Sequence, residues 1–143
     1  MKRLLVLAAI AILSPISATA SETPGAHFIE NWDLDFNGVV SAAEIVERRG
    51  DIFYMFDQNE DDILSQEEYV LFDETRAADR ENNASEHGKG AGRMQVGLTL
   101  EFNDINFDGK VSKEEFIERS MSWIAEVDRN NDNAITLADF GPR

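Results

Sequence analysis

Cysteine is absent from this chain of 143 residues, and histidine occurs only twice. Without cysteine there are no disulfides, no thiolate metal sites and no thiol nucleophiles. Basic residues are also scarce, with 13 against 28 acidic residues, for a formal net charge of −15. This charge disfavours nucleic acids and anionic membranes as partners and favours cations. Hydrophobic residues still make up 43% of the chain, which is enough to bury a core.

Residues 1–20 have the pattern of a secretory signal peptide. Lys2 and Arg3 precede an uncharged apolar run at residues 4–13, and small residues follow at 18–20. The run is about half of the ~20 residues that a membrane-spanning helix needs. We therefore expect cleavage after Ala20, no membrane association afterwards, and a periplasmic or secreted location. Loss of the two basic residues leaves 11 basic and 28 acidic residues, a net charge of −17.

The rest of the chain repeats itself at an offset of 71 residues. The matches include Phe36 with Phe107, Gly38 with Gly109, Glu44 with Glu115 and Asp57 with Asp128. Such self-similarity indicates two copies of one structural unit. The predicted organisation is a first unit at 21–74, a polar linker with the start of the next helix at 75–97, and a second unit at 98–143.

A twelve-residue pattern of oxygen-bearing side chains begins each unit. In the first unit it runs Asp33-x-Asp35-x-Asn37-Gly38-x-x-Ser41-x-x-Glu44. This pattern resembles the EF-hand superfamily, and in particular small secreted bacterial EF-hand proteins with four closely spaced loops. The resemblance implies calcium binding through side chains at positions 1, 3, 5, 9 and 12 and the backbone carbonyl at position 7.

Four such loops follow from the resemblance, at 33–44, 57–68, 104–115 and 128–139. The second has aspartate instead of glycine at position 6, and the fourth closes on an aspartate, which is one methylene shorter than glutamate. We expect three or four calcium ions, with magnesium as an alternative in the fourth loop. The predicted ligand residues are Asp33, Asp35, Asn37, Val39, Ser41, Glu44; Asp57, Asn59, Asp61, Ile63, Ser65, Glu68; Asp104, Asn106, Asp108, Lys110, Ser112, Glu115; Asp128, Asn130, Asp132, Ala134, Thr136 and Asp139.

The connections between loops predict how the loops pair. Only twelve residues separate the two loops of each unit, and their apolar residues keep one helical face. One shared helix of about 18–22 Å would place those two loops at opposite ends, so we expect pairing across the units, while which loop pairs with which stays open. Position 8, where paired EF-hand loops form a small β-bridge, is aliphatic in every loop: Val40, Leu64, Val111 and Ile135.

The fold expected from these patterns is all-α, with four loops, short shared helices and small β-bridges. Large aromatic residues could line a groove for a protein target, but the need for a core makes core positions the better interpretation. These residues are Trp32, Phe53, Phe56, Phe116 and Trp123.

Calcium binding outside the cytoplasm, as a buffer or a calcium-stabilised module, is the function that the resemblance implies. The alternative is a calcium-dependent adaptor or sensor for a protein partner that the sequence does not name. No candidate catalytic group stands apart from the predicted ligands, so we expect no enzymatic activity.

Overall fold

The computed structural model describes residues 23–82 and 91–141. The predicted signal peptide lies outside these residues. Within them the chain is mostly helical, with one small two-stranded sheet. The elements are α1 (Ala26–Trp32), α2 (Ala42–Phe56), β1 (Ile63–Leu64), α3 (Gln66–Asn82), α4 (Ala91–Val96), α5 (Leu100–Asn103), β2 (Val111–Ser112), α6 (Lys113–Glu118), α7 (Ser120–Val127) and a 3₁₀ turn (Leu137–Asp139).

Capping boxes start the helices that leave the loops. In α2 the Ser41 hydroxyl accepts a hydrogen bond from the Glu44 amide, and the Glu44 carboxylate accepts one from the Ser41 amide. Ser112 and Glu115 form the same box before α6. A capping box satisfies two N–H groups that a helix start leaves without partners. Positions 9 and 12 of these loops therefore also fix where the next helix begins.

The first shared helix is continuous, whereas its counterpart has one interruption. α2 runs through Gly50 without a break and joins the first loop to the second. In the second unit Arg119 separates α6 from α7, because its ψ of −8° departs from the helical value of about −42°. Hydrogen bonds from Arg119 N–H to Glu115 O and from Trp123 N–H to Arg119 O still bridge the interruption. The pair α6–α7 therefore acts as one helical connection.

The loops pair across the two units, as the sequence predicts. β1 and β2 are antiparallel and place Leu64 opposite Val111, which joins the second loop to the third. An isolated bridge between Val40 and Ile135 joins the first loop to the fourth. Since α2 starts in the last residues of the first loop and ends just before the second, the two loop pairs lie at opposite ends of α2.

Two apolar clusters lie behind the loop pairs, and each contains residues from both units. The cluster behind the first and fourth loops contains Phe28, Ile29, Trp32, Val40, Ile45, Trp123, Ile124, Val127, Ile135 and Phe140. The cluster behind the second and third loops contains Phe53, Phe56, Leu64, Tyr69, Phe72, Val111 and Phe116. The five large aromatic residues singled out in the sequence are all buried, which confirms their interpretation as core.

The stretch 75–97 is more helical than a polar linker would be. α3 continues to Asn82, so the first eight residues of this stretch are helical, and α4 begins at Ala91. Residues 83–90, which include most of the glycine-containing segment, lie outside the described residues. None of the described helices combines the length and the apolar character required to cross a bilayer.

Candidate metal centre

The four acidic loops follow one backbone course. Counting from the first aspartate of each loop, positions 4 and 6 always have a positive φ, between 58° and 86°. Glycine occupies position 6 in the first and third loops, and Asp62 and Asn133 adopt φ of 60° and 63° in the other two. All four loops therefore make a left-handed turn at position 6, including the two loops without glycine.

The aspartate at position 1 organises each turn. In the first loop Asp33 Oδ1 accepts a hydrogen bond from the amide of Asn37 at 3.2 Å, and Asp33 Oδ2 accepts one from Gly38 at 2.7 Å. The same bonds to positions 5 and 6 recur in the other loops. They join Asp57 to Asp61 and Asp62, Asp104 to Asp108 and Gly109, and Asp128 to Asp132 and Asn133.

The side chains at positions 3 and 5 also accept hydrogen bonds from backbone amides of their own loop. Asp35 Oδ1 accepts from the amide of Asn37 at 3.1 Å, and Asn37 Oδ1 accepts from the amide of Val39 at 2.8 Å. The corresponding side chains of the other loops do the same within 2.9–3.1 Å. These bonds orient the peptide groups up to position 7, whose residues are Val39, Ile63, Lys110 and Ala134.

The carboxylate at position 12 closes each loop on its beginning. Glu44 Oε1 accepts from the amide of Leu34 at 2.8 Å, while Oε2 accepts from the amide and the hydroxyl of Ser41 at 2.8 and 2.7 Å. Glu68 and Glu115 make the equivalent bonds in the second and third loops. All predicted side-chain ligands of a loop thereby belong to one hydrogen-bonded frame.

The fourth loop reaches this closure with a shorter side chain. Asp139 Oδ1 accepts from the amide of Arg129 at 2.8 Å, and Oδ2 accepts from the amide of Thr136 at 2.8 Å. The other loops lead directly into α-helices, but here a 3₁₀ turn follows Thr136. A 3₁₀ turn is tighter than an α-helical turn, and it brings Asp139 to the distance that glutamate reaches elsewhere.

Two of the closing carboxylates are held in the ionised form. Desolvation raises the pKa of Glu44, but the hydrogen bonds from Ser41, Leu34 and Asp35 outweigh it and leave the pKa below its ordinary value. The pKa of Glu68 is likewise below its ordinary value, because hydrogen bonds from Ser65 and from the amides of positions 2 and 3 outweigh desolvation. Charged carboxylates are the form that a metal cation requires.

The donor set fits a hard divalent cation. Positions 1, 3, 5 and 12 of each loop supply three carboxylates and one amide oxygen, with no nitrogen or sulfur ligand. Calcium and magnesium prefer such oxygen ligands. In the first loop the carboxylate oxygens of Asp35, Asp33 and Glu44 lie within 4.8 Å of one another. A carboxylate has about four lone-pair sites, so oxygens that accept amide bonds keep capacity for a cation.

Two features of the loops were not predicted from the sequence. Position 4 has a positive φ although it holds Phe36 and Phe107 in two loops, and large side chains normally disfavour that conformation. The closing carboxylate bonds the amide of position 2, where Leu34, Gln58, Ile105 and Arg129 share no chemistry. Because that contact uses the backbone, no side-chain pattern marks it.

Comparison with models of known protein families gives a match to one segment of the chain. A family model described as EF hand matches residues 99–119, which contain the whole third loop. Comparisons with curated proteins and with solved structures gave no match. This match makes the segment around the third loop similar to an EF hand, and it supports calcium binding.

Proposed function

We propose that the protein binds three or four calcium ions through four EF-hand loops and acts outside the cytoplasm as a calcium buffer or calcium-stabilised module, without catalysis. The observation that carries this proposal is the repetition of one hydrogen-bonded frame in all four loops. A single acidic turn could arise by chance. Four turns with the same left-handed positions and the same closure are better explained by a common ligand.

The negative charge gathered in each loop favours the binding of cations. Each loop gathers three carboxylates among its ligand positions, and like charges a few ångströms apart repel. A divalent ion offsets two of these charges in each loop. Four ions would change the net charge of the chain after loss of residues 1–20 from −17 to −9. Ion binding should therefore stabilise the folded loops strongly.

The fourth loop is where we expect the ion preference to differ. Asp139 is fully buried and reaches the loop through the tighter 3₁₀ turn. A shorter carboxylate in a tighter turn favours binding through one oxygen and a lower ligand count. Magnesium requires fewer ligands at shorter distances than calcium does, so it can compete best in this loop.

The extracytoplasmic location rests on the leader pattern of residues 1–20. Extracellular calcium modules typically bind with dissociation constants of about 10⁻⁴–10⁻³ M, weaker than cytosolic sensors. Determination of the N-terminal residue of the exported protein would test the proposal, and Ser21 is the expected result.

The alternative function, a calcium-dependent adaptor for a protein partner, has one observation in its favour. A cavity of about 410 Å³ opens between α1, α2, α3 and α4. Its apolar lining includes Phe28, Trp32, Ile52, Met55 and Phe72. A solvatochromic dye separates the two functions, because an adaptor should bind much more dye with calcium than with chelator. A buffer or calcium-stabilised module should not bind more dye with calcium than with chelator.

Calorimetric titration tests the metal sites directly. The chain from Ser21 should bind three or four calcium ions, and magnesium should compete at one of them. Glu44→Gln and Glu115→Gln should each remove one strong site. The substitution removes a negative charge, and it replaces the carboxylate whose two oxygens close the loop by an amide. One ion or none at millimolar calcium would contradict the proposal.

Thermal unfolding tests whether calcium stabilises the fold. A ligand present at 100 times its dissociation constant adds about 2.7 kcal/mol per independent site, against a total stability of about 5–15 kcal/mol for a typical domain. Chelator should therefore lower the melting temperature by more than about 10 °C. Salt should partly rescue the calcium-free form by screening. Coincident circular-dichroism melting curves in calcium and in chelator would refute the idea of a calcium-stabilised module.

A further inference from the structure

Arg49 is a fully buried cation in the middle of α2. Among the residues that the structure describes, no carboxylate forms an ion pair with it. Desolvation lowers the pKa of Arg49 to about 10, and at neutral pH the guanidinium is still charged. Burying a charge without a counter-ion is costly, so its polar contacts must offset that cost.

Among the described residues, the side chain of Arg49 donates only to groups at the end of the connecting stretch and in the second unit. Nε and Nη2 donate to the carbonyl of Phe116 at 3.1 and 2.5 Å, and Nη1 donates to the carbonyl of Gly97 at 2.7 Å. Nη2 also donates to Asn103 Oδ1 at 2.6 Å. The guanidinium carbon lies 4.0 Å from the centroid of the Phe116 ring and 5.2 Å from that of Trp123. Arg49 is therefore a polar connection between the two units.

The contacts of Arg49 flank the third loop on both sides. Asn103 immediately precedes Asp104, the first residue of the loop, and Phe116 immediately follows Glu115, the closing carboxylate. Asn103 is itself fully buried, and its Nδ2 donates to the carbonyls of Thr99 at 2.7 Å and Gly97 at 3.1 Å. One guanidinium thus holds the two ends of the loop at a fixed separation.

Among the described residues, no equivalent arrangement holds the two ends of the first loop. The residue at the same place in the second copy, 71 positions later, is Ser120, which is fully buried and whose Oγ has no hydrogen-bond partner. The residues that flank the first loop are Trp32 and Ile45, and both lie in an apolar cluster. The two loops share their internal frame but differ in what holds their ends, which makes the first loop an internal control.

We propose that Arg49 is a positioning residue for the third loop, which it holds in its ion-binding geometry from the helix that joins the first and second loops. This inference rests on the proposed function, because it assumes that the third loop binds calcium. It implies that calcium affinity at the third loop depends on Arg49 more strongly than affinity at the first loop does.

Two glycine amides allow the two loops to be measured separately. Gly38 N–H and Gly109 N–H donate to the first aspartates of the first and third loops, at 2.7 and 2.9 Å. The other two loops have no glycine at this position. Titration of the isotope-labelled chain with Ca²⁺ alone, followed by two-dimensional NMR, reports an affinity at each glycine. In Arg49→Lys we expect affinity about tenfold weaker at Gly109 and within about twofold at Gly38, since lysine keeps the charge but cannot bridge both ends.

Two further variants complete the design. Asn103→Ala removes one of the contacts while Arg49 stays, so it should also weaken affinity at Gly109 selectively, and it serves as the test if Arg49→Lys does not fold. Ser120→Ala changes the buried position that corresponds to Arg49 and should leave both affinities within about twofold.

The outcomes separate this inference from the proposed function. Selective weakening at Gly109 in Arg49→Lys or Asn103→Ala supports the positioning role. Equal weakening at both glycines, or the same selective loss in Ser120→Ala, would overturn it, because either result indicates a general effect on the core. No change at either glycine would also overturn it, because the contacts of Arg49 would then have no effect on ion binding at the third loop. If neither glycine responds to millimolar calcium in the unmodified chain, the proposed function itself is wrong and the positioning role is wrong with it.

Discussion

Phe36 occupies a backbone conformation that costs stability and gains little packing in return. Its φ is 60°, in the left-handed region, and 86% of its surface is exposed. For a residue other than glycine, asparagine or aspartate, that region costs roughly 1–2 kcal/mol. Position 4 of the fourth loop has Asn131 at φ 59°, so the same turn already exists with a residue that tolerates it.

Phe36→Asn should therefore stabilise the fold by about 1 kcal/mol. The exposed ring loses almost no burial, so relief of the backbone cost should dominate. For a domain of this size the gain corresponds to a rise of about 3–6 °C in melting temperature. Phe107→Asn should behave in the same way, since Phe107 has φ 60° and 87% exposure. The two effects should add, because the residues lie in different loop pairs.

Urea denaturation of the chain from Ser21, in chelator and in calcium, provides the measurement. Phe36→Leu is the matched control, because leucine is also apolar and also disfavours positive φ. It should leave stability within about 0.5 kcal/mol. If Phe36→Asn is no more stable than Phe36→Leu, backbone strain at position 4 is not a significant cost. If both variants lose more than about 1 kcal/mol, the ring makes a stabilising contact that its exposure conceals.

Four other substitutions have expected outcomes that follow from the packing and the hydrogen bonds. Gly97→Ala should destabilise the fold by more than about 2 kcal/mol, because an added Cβ would lie 2.0 Å from Trp123 Cδ1. Gly50→Ala places the added Cβ with no atom within 4 Å, so it should instead stabilise the fold by about 0.5–1 kcal/mol in urea denaturation. If Gly97→Ala and Gly50→Ala changed the stability in the same direction, the difference in packing at the two glycines would be wrong. Asp139→Glu should destabilise the calcium-free chain by about 1–3 kcal/mol, since a methylene enters a fully buried site, and a gain in stability would show that the fourth loop has room. In chelator, Glu44→Gln should lower the free energy of unfolding above pH 4.5, and the loss should be smaller at lower pH. The folded-state pKa of Glu44 lies below 4.5, so the stability that its charge contributes is lost as pH falls through that pKa. A difference in unfolding free energy between variant and parent that does not change with pH would contradict this linkage.

The loop frame and the way the loops pair follow from the sequence because local chemistry determines them. The aliphatic residues at position 8 and the twelve-residue spacing predict cross-unit pairing, and the structure places Val40 opposite Ile135 and Leu64 opposite Val111. Spacing is informative here because a short helix has a definite length. The left-handed turn at position 6 is also predictable in the loops that lack glycine there, since aspartate and asparagine both tolerate a left-handed backbone.

Long-range contacts account for what the sequence did not reveal. Nothing in the local sequence around Arg49 indicates that a charged residue on a helix face would be buried against carbonyls 48 to 67 residues away. The interruption at Arg119 occurs in the copy that lacks glycine, whereas α2 passes through Gly50 intact. Local helix propensity therefore predicts neither the interruption nor the continuity.

The arrangement of loops and clusters makes ion binding a property of the whole chain. Each loop pair contains one loop from each unit, and each apolar cluster contains residues from both units. Neither repeat could complete a loop pair or a core by itself, although each carries two complete loop sequences. An ion bound in one loop therefore stabilises a bridge to the other unit and the cluster behind it. α2 extends from one loop pair to the other, and Arg49 ties its middle to the ends of the third loop. The geometry of the third loop therefore depends on a helix that begins at the first loop and ends at the second.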